Sequence, residues 1–196
     1  PRKGYTLIED IRKNADPNAR IGQVPPTFYQ KDINPLSRTY GQFIGPQNYQ
    51  GNIVLLNLWA SYCQPCLQEL PDFQKVSQVH SDISVLGLIA GENGVDPDIS
   101  ELGTLTKITL PILGTEGKSP LNVRACQDSG TIKAAAYFDH QKGKRADWMG
   151  LMITEQLYGY KSLPTTFIID RQQIVREVQV GALDSKGWED KLRLYI

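Results

Sequence analysis

The sequence predicts an α/β fold, and three patterns carry the prediction. Ile53-Val54-Leu55-Leu56-Asn57-Leu58-Trp59 and Ser84-Val85-Leu86-Gly87-Leu88-Ile89-Ala90 are almost continuous apolar runs, which suit strands buried on both faces of a parallel sheet better than alternating surface strands. Between them Leu67, Leu70, Phe73, Val76 and Val79 recur every three residues. That apolar stripe at helical spacing makes 53–90 a strand, helix, strand unit with a crossover connection. Finally, Leu163 to Asp170 and Ile174 to Val180 are strand patterns separated only by a polar turn, close enough to form a hairpin.

The remaining elements follow in chain order. Residues 1–23 form a polar arm in which Leu7, Ile8 and Ile11 share one helical face, and Asn14-Ala15-Asp16-Pro17-Asn18 ends that helix. Residues 24–196 then make up the domain proper. Val24-Pro25-Pro26-Thr27-Phe28 begins an extended segment, and Gly41 through Gly51 is loop or short strand, since Pro46 and the glycines interrupt any longer run. In the central helix Pro71 predicts a kink. Asp96-Pro97-Asp98 opens a further helix to about Lys107, followed by the short apolar piece Thr109-Leu110-Pro111-Ile112-Leu113. Residues 114 to about 150 mix glycines, charges and small apolar clusters with no sustained period, and form an insertion. Gly181 ends the second hairpin strand, and Asp184 or Ser185 caps a last helix whose Trp188, Leu192 and Tyr195 share a face.

Composition removes several function classes. The 196 residues balance 21 basic against 21 acidic side chains, which offers nothing to nucleic acid. No apolar run approaches the length of a membrane span. The chain opens on Pro1 rather than Met, as expected of a mature or a trimmed form, so any signal peptide or N-terminal anchor would already be missing and its absence is uninformative. Three cysteines are too few for a disulfide scaffold. Cys63, Cys66, Cys126, His80 and His140 come from separate segments with one close pair among them, half of a closed zinc site, so no metal is expected. No cofactor is expected either.

Redox chemistry is what the cysteines support. Cys63 and Cys66 fall where the first strand turns into the helix, three positions apart, so they can close a disulfide. Cys63 stands at the helix N-terminus, where unpaired N–H groups and the positive end of the dipole favour the thiolate. Cys66, one turn in, is the more buried. Attack by the Cys63 thiolate on a partner disulfide, then release by Cys66, is the implied cycle. A purely structural disulfide, or two buried thiols, is the plainer alternative.

The flanks of the pair point to a family. Trp59-Ala60-Ser61-Tyr62-Cys63-Gln64-Pro65-Cys66, then Glu69-Leu70-Pro71, with Leu163-Pro164-Thr165-Thr166-Phe167-Ile168-Ile169-Asp170 about a hundred residues later, resembles the thioredoxin-like reductases of the TlpA/ResA type. The resemblance covers about 24–113 and 152–196 and leaves the arm and the insertion outside. It implies a thioredoxin fold, a central mixed sheet flanked by helices. It implies that Pro164 is a cis-proline packed against the Cys pair, and that the backbone at Leu163 holds an extended stretch of substrate. It assigns Glu69 as an active-site glutamate that influences how the pair titrates, although an acid early in a helix is also favoured by the dipole alone. Trp59, Tyr62, Gln64 and Pro65 complete the expected substrate-contacting set, Trp59 doubling as core at the edge of the site. Thioredoxin itself places a buried aspartate six positions before its first Cys, where this chain has Asn57; Tyr62 stands where Trp is common.

The implied function is reduction of specific protein disulfides, with protein thiols as substrates and a separate redox partner as electron donor. The implied place is the periplasm or the outer side of the cytoplasmic membrane, with a cytosolic site as the alternative. Two other functions fit the same scaffold. A thiol peroxidase would carry Thr three positions before the attacking cysteine, where this chain has Ala60, and a non-enzymatic binding module would use the insertion as its contact surface. Cys126 in that insertion is either a buried, inert thiol or an accessory one.

Overall fold

The computed structural model describes residues 16–25, 27–60, 63–89, 107–114 and 162–196. The expected helices before Asn14 and after Asp96, nearly all of the insertion, Tyr62, Cys126 and His140 lie outside them. Seven strands are described: β1 (Gln30–Lys31), β2 (Phe43–Ile44), β3 (Ile53–Trp59), β4 (Ile83–Ile89), β5 (Ile112–Leu113), β6 (Thr165–Ile169) and β7 (Val175–Val180). Two α-helices accompany them, α1 (Gln64–Val79) and α2 (Ser185–Leu192).

The main sheet has the order β5-β4-β3-β6-β7. β3, β4 and β5 run parallel, whereas β6 is antiparallel to β3 and β7 to β6, so the sheet is mixed as expected. Every residue of β3 is buried, which accounts for its unbroken apolar run: the strand is central, and both faces are covered. Ile53, Leu55 and Trp59 pack with α1 and α2 on one face, and Val54, Leu56 and Leu58 pack with Phe28, Ile44 and Phe167 on the other. Each buried aliphatic side chain of this kind contributes about 1.5–3 kcal/mol.

Gly87 is the exception in β4. A Cβ there would stand 2.9 Å from Trp59 Nε1, so the missing side chain is what admits the large indole of Trp59 beside the sheet.

Helix α1 continues through Pro71, whose missing N–H leaves the Leu67 carbonyl without its helical donor. Its stripe is buried at Leu70, Phe73 and Val76, but Val79 is 66% exposed; at the last residue of the helix the stripe has run past the sheet. Helix α2 is capped by Asp184, whose side chain accepts from the Gly187 N–H. Its Trp188 meets Phe73 of α1 with ring centroids 4.9 Å apart.

The N-terminal segment belongs to the fold sooner than the sequence suggests. Asp16 does not simply stop a helix; it caps a 3-10 turn, Pro17–Arg20, in which Pro17 is buried. Gly22 N–H then donates to the Val175 carbonyl and Val175 N–H to the Gln23 carbonyl, which covers the start of the β7 edge. Farther on, fully buried Asp32 accepts from Asn34 N–H, Ile112 N–H and the Thr39 hydroxyl, and the Asn34 amide donates to the carbonyls of Ile108 and Leu110. These bonds pin the β1–β2 hairpin to the opposite edge, at β5.

Candidate active site

β3 delivers the chain to the site at its C-terminal end. After Trp59 and Ala60 comes Cys63, the N-cap of α1, with extended backbone and its Sγ accepting from the Cys66 N–H at 3.3 Å. The first helical bond runs from Leu67 N–H to the Cys63 carbonyl. Cys63 and Cys66 are joined as a disulfide with Cα atoms 5.3 Å apart. Their exposures differ as the sequence predicts: 8% at Cys63 and 1% at Cys66. The sulfur nearer solvent is therefore the one at the helix terminus, where a thiolate is stabilised. Gln64 and Pro65, between the two, are exposed.

β6 brings its own start to the same end of the sheet. Thr165 pairs with Leu58 in the antiparallel register, so Leu163 and Pro164 lie just beyond the point where β3 leaves for the Cys pair. The Leu163–Pro164 peptide bond is cis. Pro164 is buried, while Leu163 is partly exposed and packs on the core cluster that contains both cysteines. Trp59, by contrast, has no exposed surface. It is core on β3, packed in the cluster that contains both cysteines.

Glu69 is neither a surface acid nor a first-turn acid. It lies one turn beyond Cys66 on α1 and is 2% exposed. Its Oε1 accepts from the Leu183 N–H at 2.9 Å and from the Trp188 Nε1–H at 3.0 Å. Among the described residues its Oε2 meets the Asn57 Nδ2–H alone, at 3.5 Å, and Asn57 also donates to Thr166 Oγ1 at 3.0 Å. Burial pushes the carboxyl up to about 7, with the Asp72 charge in the same direction, against the two hydrogen bonds, which favour the charged form. A titrating carboxyl thus sits on the helix of the Cys pair at neutral pH.

Sequence reasoning placed Trp188 on the apolar face of the last helix and had no sign of its polar role, because its partner is 119 residues away. Leu183 acts through its backbone, which no side-chain pattern reveals. Among the described residues no group of three or more His, Cys, Asp or Glu could hold a metal ion, and no helix is long and apolar enough to cross a membrane.

The geometry can be set beside known proteins. Residues 21–178 match the model of the AhpC/TSA family. The chain belongs to the AhpC/TSA family. The thioredoxin-like protein YneN of Bacillus subtilis is 28% identical to it over 191 residues, covering 97% of this chain and 89% of YneN. The thiol-disulfide oxidoreductase ResA of Geobacillus thermodenitrificans is 21% identical over 191 residues, covering 96% of this chain and 85% of ResA. A solved thiol:disulfide interchange protein of the thioredoxin family from Chlorobium tepidum superposes with a TM-score of 0.56 at 19% identity, over 88% of this chain and 95% of that one. That superposition establishes a thioredoxin-like fold, and the resemblance to the ResA type read from the residues around Cys63 agrees with these relatives.

Proposed function

We infer that this AhpC/TSA-family chain is a thiol-disulfide oxidoreductase that reduces disulfides in partner proteins, by a cycle in which Cys63 attacks and Cys66 resolves. The observation that carries this is the unequal pair: Cys63 at the N-cap of α1, 8% exposed and the nearer of the two to solvent, and Cys66 one turn in at 1%. In the reduced chain the Cys63 thiolate attacks one sulfur of the partner disulfide and expels the other as a thiolate. Cys66 then loses its proton and attacks Cys63 Sγ, which restores the Cys63–Cys66 disulfide and releases the second partner thiol. Two electrons pass to the partner, and a donor dithiol returns them.

Glu69 is the acceptor for the Cys66 proton in this reading. The two residues are three apart on one helix, both are buried, and the carboxyl titrates near neutrality. A charged Glu69 also opposes thiolate formation at the pair, which tempers the pull of the helix terminus. Gln64, Pro65 and the Leu163 backbone form the exposed margin for the partner, and Pro164 shapes it; this role is supported by their position at one end of the sheet. ResA-type relatives support an extracytoplasmic place of action, where protein disulfides form and persist.

A Cys66→Ser variant tests the cycle. Because the resolving thiol is gone, a mixed disulfide through Cys63 accumulates with oxidised partner proteins, and mass spectrometry locates it. Failure of this variant to hold any partner, or peroxide turnover by the wild type at a rate far above its protein-disulfide reduction, would reject the proposal.

A further inference from the structure

The two oxygens of Glu69 are not equivalent. Among the described residues Oε1 faces two N–H donors at full hydrogen-bond strength, from Leu183 and Trp188, whereas Oε2 has the single longer contact from Asn57. Both strong donors belong to the segment leading into and forming α2, far along the chain from the Cys pair. We propose that Trp188 is a positioning residue for the dithiol cycle: with the Leu183 amide it occupies Oε1, so that Glu69 takes up and gives back its proton at Oε2. The proposal rests on the reading of Glu69 given above.

An oxygen already facing two N–H hydrogens has no room for a proton of its own. The proton therefore goes to Oε2, which faces Asn57. Asn57 is 1% exposed, and its Oδ1 has no hydrogen-bond partner among the described residues. A half-turn of the Asn57 amide exchanges its Nδ2 for this oxygen. It then accepts both from a protonated Oε2 and from the Thr166 hydroxyl, whose Oγ1 receives Nδ2–H in the present orientation. The charged carboxylate is met by an N–H and the neutral acid by a carbonyl oxygen, so neither state leaves the facing atoms mismatched. Trp188 decides which oxygen takes part. The groups facing Glu69 among the described residues are Asn57 of β3, Thr166 of β6 through Asn57, Leu183 and Trp188 of the C-terminal segment, and Asp72 of its own helix, whose charge acts on it in the oxidised protein; in the reduced protein the thiols of the Cys pair join them.

The test is the 15N-labelled protein titrated across neutrality, with the rate of protein-disulfide reduction followed in parallel. In the wild type the Trp188 indole N–H resonance titrates with the Glu69 midpoint, and in Glu69→Gln it does not. Trp188→Phe, which keeps an aromatic ring against Phe73 and loses the donor, moves the pH midpoint of the reduction rate upward by about one pH unit or more, because a hydrogen bond to the charged form is gone. In a Glu69→Gln background the same substitution leaves the pH profile where it was. A Trp188 resonance that stays flat across neutrality overturns the proposal whether or not the variant folds, as does an unshifted midpoint in a folded Trp188→Phe. If Glu69→Gln leaves the wild-type pH profile intact, it is the role of Glu69 that fails, a result separable from the indole titration.

Discussion

Glu69 carries an energetic cost whose sign can be worked out. Its carboxyl titrates near 4.5 when unperturbed and at about 7 in the fold, so between those values the folded chain holds a proton that the unfolded chain has lost. Stability therefore falls as pH rises through this window, by up to about 3 kcal/mol, and the loss is complete above neutrality. Glu69→Gln keeps an oxygen for the Leu183 and Trp188 donors and places an NH2 toward Asn57, whose idle Oδ1 can turn to accept it. Urea unfolding of the oxidised proteins at several pH values should show the variant gaining on the wild type from about pH 4.5 to 7 and a constant difference beyond. A pH-independent difference would mean that Glu69 titrates in the fold where it titrates in the unfolded chain. Sequence alone exposed the position of Glu69 on the helix of the Cys pair; its burial and its bond to Trp188 needed the tertiary fold, since neither partner's neighbours in sequence mention the other.

At the scale of elements, β3, α1, β4, β6, β7 and α2 were legible because each is long enough to show a period and is buried on a definite face. The two-residue strands β1, β2 and β5 are too short to have a period. What fixes them is the set of side-chain bonds from Asp32 and Asn34 to backbone distant in sequence. Val79 shows the limit of periodicity from the other side: it continues the stripe of α1 and yet faces water, because a pattern along a helix says nothing about where the surface it packs on ends. Gly87 is a further contact hidden from sequence. In a buried strand a glycine weakens the local structure, and here it gives room to Trp59. Gly87→Ala should lower stability by about 1–3 kcal/mol through overpacking, visible as a lower urea midpoint with an unchanged slope. A neutral substitution would show that the Trp59 indole has space to move.

At the scale of the molecule, the sheet brings together two segments a hundred residues apart, the turn after β3 and the turn before β6, and the site is built at that shared end. The Cys pair and its flanks announced the chemistry from sequence, and the register of Thr165 on Leu58 supplies the reason that Leu163 and Pro164 belong beside it. The central claim is that Cys63 and Cys66 cycle rather than brace the fold. It is tested most directly by mixing the fully reduced protein with a protein disulfide and counting products. The account predicts one Cys63–Cys66 disulfide formed for each partner disulfide reduced, with the rate lost in Cys63→Ser. A Cys63→Ser protein that reduces the partner at the wild-type rate, or a wild type whose pair resists dithiothreitol in the folded state, would contradict it.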